Sequence, residues 1–310
     1  MLSKLHSSVF ACCILNFLWC CLNNYFLKTH RIIQMTGPHR LLAGQGLLPK
    51  KHMGQNFLSD PSTAEMIVRK AGLSDAVVLE IGAGAGALTV FASSAARRVY
   101  AVEKDRDLIA ILENVTAGAG NVNIINSNIF DVDINRIYEK EQEKLLVIGN
   151  LPYNISSQVI VSLIFQRQII ERAVLMLQTE MARRIYARTG TKEYGRLSVM
   201  TQYCADVCRL ARVGANQFYP RPRVDSEVIE IRFVQPSEKA LDENILSAVV
   251  KAAFGQRRKT LKNALSGGLG SGNKFVPRLL EITGIDGSRR AETLSVKEFV
   301  ALANEISRNS

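Results

Sequence analysis

From residue 60 onward the apolar positions switch regularly between a strand-like and a helix-like spacing. Asp60 before Pro61 marks a helix start: the carboxylate can accept from first-turn N–H groups, and proline suits the first helical position. Gly72 stops that helix. "AVVLEIG", 76–82, reads as an apolar strand broken only by Glu80. A helix through "ALTVFASSAARR", the strand "RVYAVE" ending at Glu103, and a helix through "RDLIAILENV" follow. Further strands are expected at 122–126, 144–149 and 172–178, each followed by helical periodicity. Strands that are apolar throughout and alternate with helices imply a mostly parallel sheet covered on both faces.

Past residue 206 the pattern changes. "DVCRLARVG" and "SEVIEIRFV" read as two strands about "FYPRPRVDS", an antiparallel hairpin closing the sheet. "QPSEKALDEN", 235–244, is polar enough for a linker, and 245–309 is helical throughout except at "SGGLGSGN". The spacing therefore predicts an α/β protein with a doubly wound sheet over 49–235, a small helical domain over 240–310, and an extension over 1–48. No internal repeat is visible.

The extension has its own pattern. "SSVFACCILNFLWCCL", 7–22, is apolar but shorter than the roughly 20 residues a spanning helix needs, and no small-residue cleavage site follows it. Every interpretable motif begins at Lys50, so the expectation is an upstream start codon, with the working chain beginning near Met35 and residues 1–34 dispensable. Four of the six cysteines fall in this stretch. The other two, Cys204 and Cys208, lack the companions of a zinc site and fit reduced thiols, with no metal implied. A formal net charge of +11 favours polyanionic partners, nucleic acid before membrane.

Candidate chemistry starts at "LEIGAGAGALT". Gly82, Gly84 and Gly86 between a strand and a helix permit left-handed backbone and close approach to a ligand. With Ala87 the run also satisfies the dinucleotide pattern, and Glu103, at the end of the next strand, can accept from both hydroxyls of a ribose in either cofactor. Glu80 favours S-adenosylmethionine: a sulfonium tolerates a nearby carboxylate, whereas a pyrophosphate does not.

"GNLPYNIS", 149–156, leaves the strand that would face this loop. Ligands in open α/β sheets sit at the carboxyl ends of strands. The exocyclic amine of adenine is a poor nucleophile because its lone pair is delocalised into the ring. The Asn150 side-chain oxygen and the Leu151 carbonyl can accept its two N–H bonds, with Pro152 fixing the carbonyl and Tyr153 stacking on the base. Catalysis of this kind is positioning and electrostatics rather than proton abstraction.

Together with "KKHMGQNFLSD", "AVEKD", "YGRLSVMTQY", "FYPRPRVDS" and "FGQRRKTLKN", these stretches resemble the small-subunit rRNA adenine dimethyltransferases from Lys50 to about residue 300. The resemblance implies a Rossmann-like class I methyltransferase sheet, S-adenosylmethionine as cofactor, and two adjacent adenosines in a 3′-terminal rRNA hairpin loop as substrate. It implies that Asn56 and Leu58 cover the cofactor's methionine end and that Gly82 underlies it. Glu103 would hold the ribose and Asn150 would touch both cofactor and target amine. Phe218 would stack on a flipped adenine opposite Tyr153. The family's aspartate after the third strand is replaced by Asn128, which can accept the same hydrogen bond without charge; Asp131 is the alternative.

Residues 181–232 hold ten Lys and Arg against five Asp and Glu. That imbalance fits an RNA backbone, with Arg221, Arg223, Arg257, Arg258 and Lys259 as candidate contacts. The expected setting is a monomer in a bacterial cytoplasm, acting on small-subunit rRNA in a pre-ribosomal particle and not on a membrane. An organellar protein needs an Arg- and Ser-rich leader that residues 1–34 do not provide. Three rivals share parts of the pattern: the large-subunit methylases of macrolide resistance, mitochondrial transcription factors of the same fold, and nicotinamide oxidoreductases.

Overall fold

The structure, a computed structural model, describes residues 37–269 and 275–309. The apolar stretch at 7–22, the start at Met35, the four amino-terminal cysteines and part of the glycine-rich break near 270 lie outside those residues. Among the described residues, no helix is long and apolar enough to cross a membrane. The chain divides into two compact units: one ends at Pro152 and also takes in Val213–Asp225, and the other comprises Tyr153–Arg212 and Ser226–Ser310.

The first unit carries a parallel sheet. Its strands are β2 (Val77–Ile81), β3 (Arg98–Glu103), β4 (Val122–Asn126) and β5 (Leu145–Asn150), in the order β4-β3-β2-β5. The register runs from Val77 opposite Arg98 to Ile81 opposite Val102, and Glu80 lies opposite Ile148 on the other side. All five residues of β2 are buried, as a central strand covered on both faces requires. Helices α1 (Pro38–Gly44), α2 (Pro61–Ala71), α3 (Thr89–Ala95), α4 (Arg106–Thr116) and α5 (Ile134–Glu141) complete it. The Asp60 carboxylate accepts from the Ser62 and Thr63 N–H groups at 3.2 and 3.1 Å, and Gly72 ends α2 in the left-handed conformation. Helix α3 is shorter than its pattern because the glycine turn extends to Leu88 and the chain is extended again by Ala96.

Two short strands escaped the apolar pattern altogether. β1 (Phe57–Leu58) pairs antiparallel with β8 (Phe218–Tyr219), Phe57 opposite Tyr219 and Leu58 opposite Phe218. A two-residue strand has no period to detect.

The second unit holds β6 (Ile170–Gln178), β7 (Ala205–Val213, its last residue falling in the first unit) and β9 (Ser226–Phe233), in the order β6-β9-β7. β6 and β9 pair antiparallel from Arg172 opposite Arg232 to Gln178 opposite Ser226. Helices α6 (Ser156–Phe165), α7 (Thr179–Ile185) and α8 (Arg196–Cys204) precede β7, and α9 (Glu243–Gly255), α10 (Leu261–Gly268), α11 (Phe275–Thr283) and α12 (Val296–Arg308) follow β9. The polar stretch at 235–244 does separate strand from helix, yet the helices after it belong to the same compact unit as β6 and β9. Cys204 is buried at the end of α8 and Cys208 is exposed on β7; both are free thiols.

Candidate active site

The glycine loop follows β2 and is tied to the end of β3. The N–H groups of Gly82 and Ala83 both donate to the Val102 carbonyl, at 2.9 and 3.0 Å. Gly82 has φ +74, and a Cβ there would stand 3.8 Å from the Asn150 carbonyl oxygen; conformation, more than space, selects glycine. At Gly86 space decides, because a Cβ would lie 2.6 Å from Val115 Cγ2 of α4.

Glu103 ends β3 with its carboxylate buried. One oxygen accepts from Gly84 N–H and the other from Asp105 N–H, each at 2.7 Å. Burial raises its pKa, and these two backbone donors pull it back down. A carboxylate offers about four acceptor positions, so two bonds fix Glu103 without saturating it, and a ribose diol fits what is left.

Glu80 carries no such donors. Its Oε2 is fully buried and without a hydrogen bond among the described residues, as is Oγ1 of Thr89. Burial pushes the Glu80 pKa up to about 7; the Thr89 hydroxyl opposes the shift and the charge of Glu103 adds to it. Two buried acids beside one glycine loop, one of them with an oxygen that has no hydrogen bond among the described residues, suit a ligand bearing positive charge. They are hostile to a pyrophosphate.

The loop before β1 is latched onto the end of β3. Lys50 Nζ lies 2.6 Å from Asp105 Oδ1 and 2.7 Å from Asp107 Oδ2, and Gln55 Nε2 donates to Asp105 Oδ2 at 2.7 Å. The Gln55 side-chain oxygen in turn accepts from the Lys50 backbone N–H at 2.7 Å. Burial alone would raise the Asp105 pKa, but the bonds from Lys50 and Gln55 outweigh it and hold the carboxyl below its usual range. Lys50, Gln55 and Asp105 lie inside motifs visible in the sequence, but their pairing across some 50 residues was not. Sequence reasoning gave none of them a role.

The latch fixes Asn56, and Asn56 fixes Asn150. Asn150 Nδ2 donates to the Asn56 carbonyl oxygen at 2.9 Å. A carbonyl cannot donate, so this bond sets which end of the amide is which. Oδ1 of Asn150 is left as an acceptor without a partner among the described residues. Asn150 sits at the carboxyl end of β5, next to the buried Leu151. Asn56 uses its own side chain locally, donating to the Gly54 carbonyl at 3.2 Å.

Leu58 and Phe218, given separate duties by the sequence, are cross-strand partners in the β1–β8 pair. Both are nearly buried, at 4% and 5% exposure, so a base would meet little of the Phe218 face as it stands here. Tyr153 opens the second unit. Its hydroxyl is buried without a hydrogen bond of ordinary geometry; burial raises its pKa, and nearby Ser226 and Gln178 lower it in part.

Asn128 lies past the carboxyl end of β4, where its Oδ1 accepts a long 3.4 Å bond from Phe130 N–H and caps a single helical turn at 129–131. So weak a bond leaves the oxygen available. Asn128→Asp is expected to keep this cap and to hold or tighten S-adenosylmethionine, since a charged acceptor makes the stronger bond. Asn128→Leu is expected to weaken it by roughly 1–3 kcal/mol, the cost of an unpaired buried donor, measurable by titration calorimetry. Equal affinity in the Leu variant would move the role to exposed Asp131.

The basic candidates differ in their freedom. Arg221, Arg223, Arg258 and Lys259 are exposed, and among the described residues none of them makes an ion pair. Arg257 is engaged: its guanidinium donates to the Lys192 carbonyl and, at 3.3 Å, to that of Tyr194, and lies 3.7 Å from Glu292.

A parallel sheet with a glycine loop after its first long strand, an acid ending the next and an asparagine loop at β5 defines a Rossmann-like methyltransferase. Residues 47–308 match the model of the ribosomal RNA adenine dimethylase family, and the chain belongs to that family. It is 49% identical over 277 residues to the ribosomal RNA small subunit methyltransferase A of Desulforapulum autotrophicum, covering 88% of this chain and 97% of that one. The protein of the same name from Pelotomaculum thermopropionicum is 40% identical over 275 residues, covering 85% of this chain and 93% of that one. Among solved structures, a dimethyladenosine transferase from Plasmodium falciparum superposes with a TM-score of 0.69 at 25% identity, covering 81% of this chain and 98% of that one. The 23S rRNA methyltransferase ErmE gives 0.60 at 26%, covering 81% and 99%.

Proposed function

We propose that this protein transfers methyl groups from S-adenosylmethionine to the N6 amines of two adjacent adenosines in a 3′-terminal hairpin loop of small-subunit rRNA, during ribosome assembly in a bacterial cytoplasm. The small-subunit substrate is favoured by the relatives' names and by identity that runs almost the whole length of both chains. The observation that carries the chemistry is the fixed amide of Asn150: one N–H of its side chain is held by the Asn56 carbonyl, which orients the amide and leaves its oxygen an acceptor at the end of β5. The cofactor supplies an electrophilic methyl group on a sulfonium.

The protein's part is to hold and orient. Glu103, fixed by Gly84 and Asp105, receives the ribose; Asn128 accepts from the cofactor's adenine amine. Gly82 lets the chain pass close beneath the methionine end, and Asn56 and Leu58 cover it. The Asn150 oxygen and the Leu151 carbonyl accept the two N–H bonds of the target amine, drawing its lone pair out of conjugation and towards the methyl group. The methylated ammonium is acidic enough to lose its proton to water, so no residue with a shifted pKa is needed as base. The target base is unstacked from the RNA before it is read.

Tyr153 and Phe218 are assigned to that base. Tyr153→Ala and Phe218→Ala are each expected to lower methylation by one to two orders of magnitude, since stacking is worth about 1–3 kcal/mol per base, while cofactor affinity holds. Parallel loss of cofactor affinity would return either ring to the core. The direct test of the function is to map N6,N6-dimethyladenosine in small-subunit rRNA with and without the protein. Its absence from the 3′-terminal loop in both cases refutes the assignment.

A further inference from the structure

Glu227, on β9, is completely buried, and three arginines converge on it. Its Oε2 accepts from the Tyr186 hydroxyl at 2.6 Å. Its Oε1 makes no hydrogen bond among the described residues; around it stand Arg209 Nη1 at 3.6 Å and Arg183 Nε and Arg212 Nε at 3.9 Å each. These side chains come from α7 and β7, and they are 52%, 42% and 66% exposed for Arg183, Arg209 and Arg212. Among the described residues none of the three makes a hydrogen bond, so beyond their long ion pairs with Glu227 their donors are available.

One carboxylate does not require three guanidiniums. Elsewhere an acid is met by one or two arginines in direct hydrogen-bond contact: Arg167 with Glu243, Arg289 with Glu298, and Arg172 and Arg232 with Glu230. Around Glu227 the distances are too long for that, and the local sum of three positive charges and one negative leaves +2. Packing three like charges together is unfavourable unless something anionic offsets them. Glu227 offsets one and, standing beneath the others, gathers their heads towards a single point. A phosphodiester is the complementary ligand, because planar guanidiniums bind its oxygens in pairs and remain charged at every physiological pH.

We infer that Arg183, Arg209 and Arg212, gathered by the buried Glu227, form a site for the phosphate backbone of the substrate RNA, in addition to the candidates Arg221, Arg223 and the 257–259 stretch. The inference rests on the rRNA reading above only for the identity of the polyanion. Tyr186, by anchoring the far oxygen of Glu227, acts as a positioning residue for the cluster.

The test uses the full chain and a transcribed 3′-terminal fragment of small-subunit rRNA, with binding measured across a range of salt concentrations. In R183Q/R209Q/R212Q the dissociation constant is expected to rise at least tenfold at low salt. The slope of log affinity against log salt should fall by about two to three, one counterion per lost contact. Methyl-donor affinity, measured on the same sample, should be unchanged, which also reports that the protein is folded. If stripping Glu227 of its arginines unfolds the chain, R183Q/R209Q/R212Q/E227Q removes the stranded charge and carries the same expectation. Unchanged affinity and salt slope in the triple or quadruple variant overturns the inference. Dimethyladenosine mapping with the unaltered protein decides the rRNA reading independently, so the two can fail separately.

Discussion

Asn150→Ala is expected to cut the single-turnover methylation rate by about 10²–10³-fold, the usual cost of removing one preorganised group that stabilises charge developing at the reacting centre. The reason lies in the bond to Asn56. An amide free to rotate would offer the amine its NH2 as often as its oxygen, but the 2.9 Å bond from Nδ2 to the Asn56 carbonyl fixes which end lies where. Asn150→Asp sharpens the test. Aspartate is the better acceptor, and on acceptor strength alone it should preserve activity. It cannot donate to Asn56, however, and it sets a negative charge against that carbonyl oxygen. The orientation is then lost, and Asn150→Asp should be impaired about as badly as Asn150→Ala. Methyl-donor affinity should change in both by no more than about 1–1.5 kcal/mol, the net worth of a single hydrogen bond. An Asp variant near full rate would mean that acceptor strength matters and the Asn56 bond does not.

That dependence of one asparagine on a carbonyl 94 residues earlier shows where sequence reading stopped. The sheet was legible because its central strands are apolar at nearly every position, β2 being broken only by Glu80, and because Asp60, Pro61 and Gly72 bracket a helix by local chemistry alone. Asn150, Glu103 and the glycines were legible as types of residue at fixed spacing from strand ends. The β1–β8 pair that sets Leu58 against Phe218 was not, since two residues carry no periodicity. The Lys50–Gln55–Asp105 latch was invisible for a different reason: its members are ordinary polar residues, and only the fold brings them within 2.7 Å. The cluster about Glu227 was half legible. The excess of arginine showed in composition; the buried carboxylate that collects three of them did not.

Glu80 is a carboxylate that a sulfonium would accept, and its burial makes both stability and cofactor binding depend on pH. Its folded-state pKa, pushed up to about 7, lies above the 4.5 of an unperturbed glutamate. A carboxyl whose pKa is raised on folding binds its proton more tightly in the native state. Its contribution is therefore fully present below the unfolded value and lost as pH climbs to the folded one. Between those limits about 3 kcal/mol of stability should disappear in the ligand-free protein, at 1.36 kcal/mol per pKa unit, and Glu80→Gln should abolish most of that slope. Cofactor binding should run the other way. A fixed positive charge near Glu80 favours its ionised form, so binding S-adenosylmethionine releases a proton, and affinity should rise with pH until Glu80 is ionised in the free protein as well, near pH 7. S-adenosylhomocysteine has lost the sulfonium charge and should show a much flatter profile. That difference would help the demethylated product leave under conditions where the donor binds well. Calorimetry in buffers of different ionisation enthalpy reads the proton release directly. Should the donor's pH dependence persist undiminished in Glu80→Gln, the titrating group is another one, and Glu103, whose pKa burial also raises, is the residue to test next.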